Sequence, residues 1–234
     1  MPSQPISFGI LLYPVQALDI VGPMDILTNV TPDNVEQYGP LLPNADLSAM
    51  LRNALDLSFH YPAASLSPVT LTGNFTATPT CTYDECPKFD YLLIGGPDPK
   101  DTIEPGRLPP GLQEFIRAKA PECKTIFTTC SGALTLASTG LLDGLTATVN
   151  HALLSVASEA FPGVHWVQEK NWVEGEKYWT ASGAVAGMDM MLHWLRTEGG
   201  VDLVDLTTML LDFQPRDLDS KPIPYVNGSG KRVG

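Results

Sequence analysis

The chain has 234 residues, 44% of them hydrophobic, so it can bury a sizeable core, and one domain over 1–234 is the natural reading. A net charge of −12, a pI near 4.6 and no basic run before Lys231-Arg232 argue against nucleic acid or an anionic membrane as a partner. No apolar stretch approaches the length of a membrane span, and the first residues lack a basic segment ahead of their short apolar run, which predicts a cytoplasmic protein.

Ser7 to Tyr13 is a continuous apolar run without helical period, suited to a strand of a parallel sheet covered on both faces. Pro14 ends it. Leu18 to Pro23 then leads into a helix predicted over 23–30 with the proline in its first turn, which leaves Asp19 as a carboxylate in the loop beyond the first strand. A capping aspartate is the competing reading of that residue. Residues 31–57 are irregular, with Pro32, Pro40 and Pro43, and read as an insertion that elaborates the first helical layer, with a helix over 46–55 capped by Asn44 or Asp46. Strands are expected over 57–63 and 69–72, the latter followed by Gly73-Asn74 turn chemistry, and 76–87 is expected as loop. Within it, Asp84-Glu85 fits a solvated turn.

A third apolar run over 89–94 stops at Gly95-Gly96-Pro97, where the missing side chains permit close approach of the backbone to a ligand, or simply a tight turn. A helix over 112–118 precedes the stretch KTIFTTCSGALTLASTGLL, residues 124–142. There a β-rich run ends at Cys130, and Leu134, Ala137 and Leu141 recur at helical spacing. A strand hands the chain to a helix at a thiol. The small Ser131 and Gly132 let the backbone turn sharply, and the free N–H groups of a new helix favour a thiolate and lower its pKa. An inert core thiol competes with this, because cysteine is among the most buried residue types. Further on come a strand over 145–149, a helix over 151–161, and a hairpin of 165–173 with 177–180 that carries Trp166, Trp172 and Trp179. Helices over 184–196 and 201–211 follow, and the tail from about 213 is expected to be irregular.

Apolar strands alternating with helices indicate an α/β architecture with a mainly parallel sheet, in which ligands bind beyond the carboxyl ends of the strands. Asp19, Gly95-Gly96 and Cys130 all follow strands and converge on that edge. The N–H groups of Ser131 and of the Gly95-Gly96 turn are candidates to hold a developing anion. His151, at the start of a helix, is a candidate to reach the thiol, with local hydrogen bonding as its ordinary alternative; His60, His165 and His193 carry no such signal. The four cysteines lack the paired spacing of a zinc site and are too few for a disulfide scaffold. The spacing leaves a Cys81–Cys86 bridge open, while a reducing compartment favours free thiols. No metal or organic cofactor is expected.

Taken together, ILLYPVQALDIVGPMDIL, DYLLIGGP, TTCSGALTLASTGLLDGLTATVNH and WTASGAVAGMDMMLHWL resemble the ThiJ/PfpI, or DJ-one, superfamily over about residues 6–212. The LDIVGP and TTCSG segments are most similar to its isocyanide hydratase branch and fungal relatives. The resemblance implies a flavodoxin-like three-layer α/β/α sandwich of the class I glutamine amidotransferase type, with Cys130 as the nucleophile at a strained elbow and Asp19 as the acidic partner. It also implies a homodimer. Peptidase-like branches place histidine directly after the cysteine; Ser131 stands there in this chain, which argues against peptide cleavage. The 31–57 segment has no counterpart in compact members.

The chemistry implied is attack of Cys130 on a small-molecule electrophile. An isocyanide hydrated to an N-substituted formamide ranks first, with Asp19 delivering the proton. Glutathione-independent conversion of a 2-oxoaldehyde to a hydroxy acid ranks second. Redox sensing or regulation through an oxidisable Cys130 is the non-enzymatic reading.

Overall fold

The computed structural model describes residues 5–233; residues 1–4 of the N-terminal stretch considered above lie outside them. Strands β1 (Ile6–Ile10), β2 (Leu57–His60), β3 (Tyr91–Ile94), β4 (Thr125–Thr129), β5 (Trp172–Glu174) and β6 (Tyr178–Ala181) form a six-stranded sheet ordered β2-β1-β3-β4-β6-β5. Neighbours pair in parallel except β5, which returns antiparallel beside β6. The helices are α1 (Ala17–Thr28), α2 (Pro32–Tyr38), α3 (Leu47–Asn53), α4 (Pro99–Ile103), α5 (Leu112–Lys119), α6 (Gly132–Ala137), α7 (Leu154–Ala160), α8 (Ala184–Gly199) and α9 (Val201–Leu211). Helices α1, α8 and α9 pack together against one face of the sheet, and α4, α5 and α6 group against the other, making the three-layer α/β/α sandwich.

Every residue of β3 is buried, as an apolar run between two helical layers requires. Phe8, Tyr91 and Trp194 anchor the core between the sheet and α8, with the Phe8 and Tyr91 rings 4.8 Å apart and the Tyr91 and Trp194 rings 4.9 Å apart. The chain leaves β1 toward β2 on one side and toward β3 on the other. That reversal opens a crevice beyond the carboxyl ends of β1 and β3, which is where such folds bind ligands.

Several expectations are corrected. The helix predicted over 23–30 begins instead at Ala17, so Asp19 lies in its first turn and Pro23 in its interior. A proline there removes the N–H that would bond the Asp19 carbonyl. The Thr129 hydroxyl donates to that carbonyl instead, at 3.1 Å, and the helix continues. The strand expected over 57–63 stops at His60; Pro62–Ala63 pairs with Cys81–Thr82, inside the stretch expected as loop. Proline has no N–H with which to extend the main ladder. The strand over 145–149 shrinks to Thr146–Ala147 and pairs with His165–Trp166 away from the main sheet, because the polar Gln168-Glu169-Lys170 run interrupts the expected hairpin arm. Only β5 and β6 form the hairpin. Residues 151–153 make a 3-10 turn before α7, and the tail is tied down in part, with Tyr225–Val226 paired to Arg232–Val233.

Other readings match. Gly73 and Asn74 make the expected turn, both at positive φ, although the strand before it ends at Thr70 and pairs with Thr76–Ala77, at the start of the stretch expected as loop. Asp46 caps α3 by accepting the Ala49 N–H at 3.1 Å. All four cysteines are free.

Candidate active site

Cys130 joins β4 to α6 with φ at 54°, a left-handed conformation that disfavours a side-chain-bearing residue by about 1–2 kcal/mol. The surrounding backbone enforces it. The Cys130 N–H donates to the Ala181 carbonyl of β6 at 3.1 Å, and Gly132 lets the turn press against β3: a Cβ there would lie 2.3 Å from the Ile94 carbonyl oxygen. The sulfur accepts a hydrogen bond from the Asn150 side-chain amide at 3.4 Å.

Asp19 is fully buried. Its Oδ2 accepts the Gly96 N–H at 2.8 Å, while Oδ1 is buried with no hydrogen-bond partner among the described residues. Removal from water favours the neutral acid, and the single bond from Gly96 offsets this only in part, so the Asp19 pKa is pushed up to about 7. Gly96 is the point of closest approach: a Cβ on it would sit 2.8 Å from Asp19 Oδ2, 2.8 Å from the Ser131 nitrogen and 2.5 Å from the Ser131 hydroxyl. Only glycine lets the acid and the elbow come this close. The link also runs through Thr129, whose side chain holds the Asp19 backbone from the position just before Cys130.

Burial and the nearby Asp19 carboxyl raise the Cys130 thiol pKa, against the Asn150 hydrogen bond and the adjoining Ser131, which favour the thiolate. This corrects the expectation that the start of a helix lowers it. Helix α6 spans only Gly132–Ala137, and its dipole faces a desolvated acid. The thiol and the carboxylic acid thus both resist ionisation, the acid through burial and the thiol through burial and the Asp19 carboxyl.

The structure brings Asp19, Gly96, Cys130 and Ser131 together and leaves two candidates aside. Gly95 does not line the cleft; its carbonyl accepts the Tyr13 hydroxyl at 2.7 Å. The Gly96 N–H, considered above for a developing anion, is taken by Asp19. The Ser131 hydroxyl donates to the Pro97 carbonyl at 2.6 Å. His151 turns away, with Nε2 3.3 Å from the Lys170 carbonyl oxygen. Its neighbour Asn150 faces the sulfur instead. Asn150 Oδ1 accepts the Ala152 N–H at 3.1 Å as a cap, which fixes the side chain so that the amide end reaches Cys130. Cys130, Gly96 and Asn150 open on a cleft of about 570 Å³ whose apolar wall includes Val15, Leu71 and Leu153. Among the described residues, no group of three or more His, Cys, Asp or Glu side chains could hold a metal ion.

A family profile described as DJ-1/PfpI matches residues 15–197, which contain the whole of this constellation. The chain belongs to the DJ-1/PfpI family. Isonitrile hydratase of Pseudomonas putida is 28% identical over 97% of this chain and 90% of its own length. The HTH-type transcriptional regulator GbdR of Pseudomonas aeruginosa is 31% identical over 54% of this chain, but the match spans 33% of the regulator. Among solved structures, a THiJ/PfpI family protein of Pseudomonas syringae superposes with a TM-score of 0.69 at 21% identity, covering 91% of this chain and 76% of that one. Drosophila melanogaster DJ-1beta gives a TM-score of 0.64 at 14% identity over 89% of this chain and 98% of its own. These two likenesses concern the fold. Among the described residues of this DJ-1/PfpI chain, no helix is long and apolar enough to cross a membrane.

Proposed function

We propose that the protein is a cysteine-dependent hydratase that converts an isocyanide, also called an isonitrile, into an N-substituted formamide. The observation that carries this reading is Asp19: a buried acid with one oxygen bonded to Gly96, the other unpartnered, and a pKa near 7, beside a thiol with no histidine among the cleft residues. The likeness to isonitrile hydratase along most of both chains supports it.

An isocyanide carbon must gain both a nucleophile and a proton. The Cys130 sulfur forms the S–C bond while Asp19 transfers its proton to the same carbon, giving a thioimidate and an Asp19 carboxylate. That carboxylate then takes a proton from water as the oxygen adds to the thioimidate carbon, and the proton that the Cys130 thiol gave up on attack goes to the nitrogen. Collapse breaks the C–S bond, releases the formamide and returns the thiol and the acid. Water is the only other reactant consumed. Negative charge develops on the carbon that Asp19 protonates and not on a carbonyl oxygen, so the chemistry makes no use of the Gly96 N–H that Asp19 occupies.

Incubation with cyclohexyl isocyanide should yield N-cyclohexylformamide, and Cys130→Ala should abolish it. Formation of lactate from methylglyoxal without formamide from the isocyanide would replace this reading with the 2-oxoaldehyde one.

A further inference from the structure

Resting on the reading of Cys130 as the attacking thiol, the geometry points to Asp98 and Asp101 as residues that select the electrophile by charge, favouring a neutral or cationic molecule with an apolar substituent over an anionic one. The cleft around Cys130 is bounded by Pro14, Val15, Leu71, Pro97, Pro99 and Leu153 on its apolar side. Its charged members are Asp98 and Asp101; among the described residues no Lys, Arg or His lines it. That asymmetry matters because a cleft with low-dielectric walls concentrates the field of the few charges it holds.

Arg107, the cation paired with a lining carboxylate, does not cancel the field. Arg107 pairs with Asp101 at 2.8 Å, yet it pairs with Glu104 at 2.7 Å as well, so one positive charge serves two carboxylates. Asp98 forms no salt bridge among the described residues. Its Oδ1 accepts the Lys100 backbone N–H at 2.9 Å, which caps α4 and leaves the formal charge in place at the mouth of the cleft. The histidine that the sequence placed nearest the thiol faces the Lys170 carbonyl instead. An anionic electrophile entering this cleft meets two carboxylates and, among the lining residues, no cation to receive it. An apolar group meets the Val15, Leu71 and Leu153 wall.

Methanethiosulfonate reagents test this without relying on hydratase activity. The Cys130 thiolate attacks the reagent's sulfenyl sulfur, a mixed disulfide forms, and methanesulfinate leaves. Three probes are compared: aminoethyl (cationic), hydroxyethyl (neutral) and sulfonatoethyl (anionic). Each rate is read at Cys130 by site-resolved mass spectrometry and divided by that reagent's rate with free 2-mercaptoethanol. The normalised rate should fall from cation to neutral to anion by about threefold to tenfold per step at low salt, and the spread should collapse near 1 M salt. Asp98→Asn keeps the cap and removes the charge; it and Asp101→Asn should each narrow the cation-to-anion ratio. Equal normalised rates, or an anion faster than the neutral probe, would overturn the inference. So would a ratio untouched by both substitutions, since the selection would then come from the net charge of the whole chain.

With isocyanides, the methyl ester of isocyanoacetate should be turned over faster than isocyanoacetate itself, and Asp98→Asn should reduce the gap. Turnover of neither compound would remove the hydratase reading while the thiol measurements still decide on charge selection. Turnover of both at one rate would remove charge selection and leave the hydratase reading intact.

Discussion

Two buried aspartates face opposite fates. Asp189, on α8, is 2% exposed and fully engaged: Oδ1 accepts the Arg216 backbone N–H at 2.9 Å, and Oδ2 accepts the Arg216 guanidinium at 2.9 and 2.7 Å. Asp19 is just as buried but has one backbone partner and one orphaned oxygen. In both, burial raises the pKa, yet at Asp189 the guanidinium pulls it back, and at Asp19 nothing of comparable strength does. Asp189 pins the C-terminal tail to the sandwich. Asp19 is left with a proton to give, which is a poor arrangement for stability and a useful one for catalysis.

Exchanging the carboxyls for amides should separate these roles. Asp19→Asn keeps an acceptor for the Gly96 N–H but has no transferable proton, so formamide production should fall by about 10²–10⁴-fold, the usual worth of a positioned general acid. Its melting temperature at pH 8 should match or exceed that of the parent chain. Asp189→Asn should do the reverse, preserving turnover while losing about 2 kcal/mol of stability in urea unfolding, because the Arg216 cation keeps a weaker partner and is itself part-exposed. Retained turnover in Asp19→Asn would break the comparison at its functional end; unchanged urea stability in Asp189→Asn would break it at the structural end.

The same contrast explains which parts of the site were legible in sequence. Cys130 and Gly96 were visible because a strand ending at a thiol or a glycine pair leaves a local mark, and the parallel α/β pattern put both at one edge. Asp19 was placed at the right edge but in the wrong element. Pro23 reads as a helix start, and the hydroxyl that lets the helix run through it comes from Thr129, over a hundred residues away. Asn150 left only the trace of a cap-type residue before a helix, with His151 the more conspicuous neighbour. Which of two adjacent side chains faces a sulfur depends on the turn after Thr146–Ala147, a segment whose pairing with His165–Trp166 the sequence did not reveal. Long-range hydrogen bonds, unlike periodicity, leave no local pattern.

The contrast also has a pH signature. An unfolded Asp19 ionises near 3.8, whereas the native residue holds its proton to about 7. Between those values the native state binds more protons than the unfolded one, so this residue's contribution favours folding at low pH and is lost as pH rises toward 7. The loss is at most about 4 kcal/mol at 1.36 kcal/mol per pKa unit. Urea midpoints from pH 4 to pH 8 should therefore fall more steeply, or rise less, in the parent chain than in Asp19→Asn. Parallel profiles would show that the buried acid is not the source. The same variant should shift the pH midpoint of Cys130 alkylation downward, because the Asp19 carboxyl no longer opposes the thiolate.

Asn150→Ala has the smallest expected effect, and it reads the balance from the other side. Asp19 and burial resist the thiolate; the Asn150 amide is a neutral donor that favours it through a 3.4 Å contact to sulfur. Removing the donor should move the alkylation midpoint upward and slow both alkylation and turnover at neutral pH, the latter by about threefold to tenfold, in keeping with one hydrogen bond to a charged acceptor of long reach. Loss of the Ala152 cap also loosens the start of the 3-10 turn, so Asn150→Asp gives a control that keeps the cap while replacing the donor with a second carboxylate. It should raise the midpoint further than Asn150→Ala. If alanine and aspartate instead leave the midpoint where it was, the amide serves the turn alone, and the thiolate depends on Ser131 for its stabilisation.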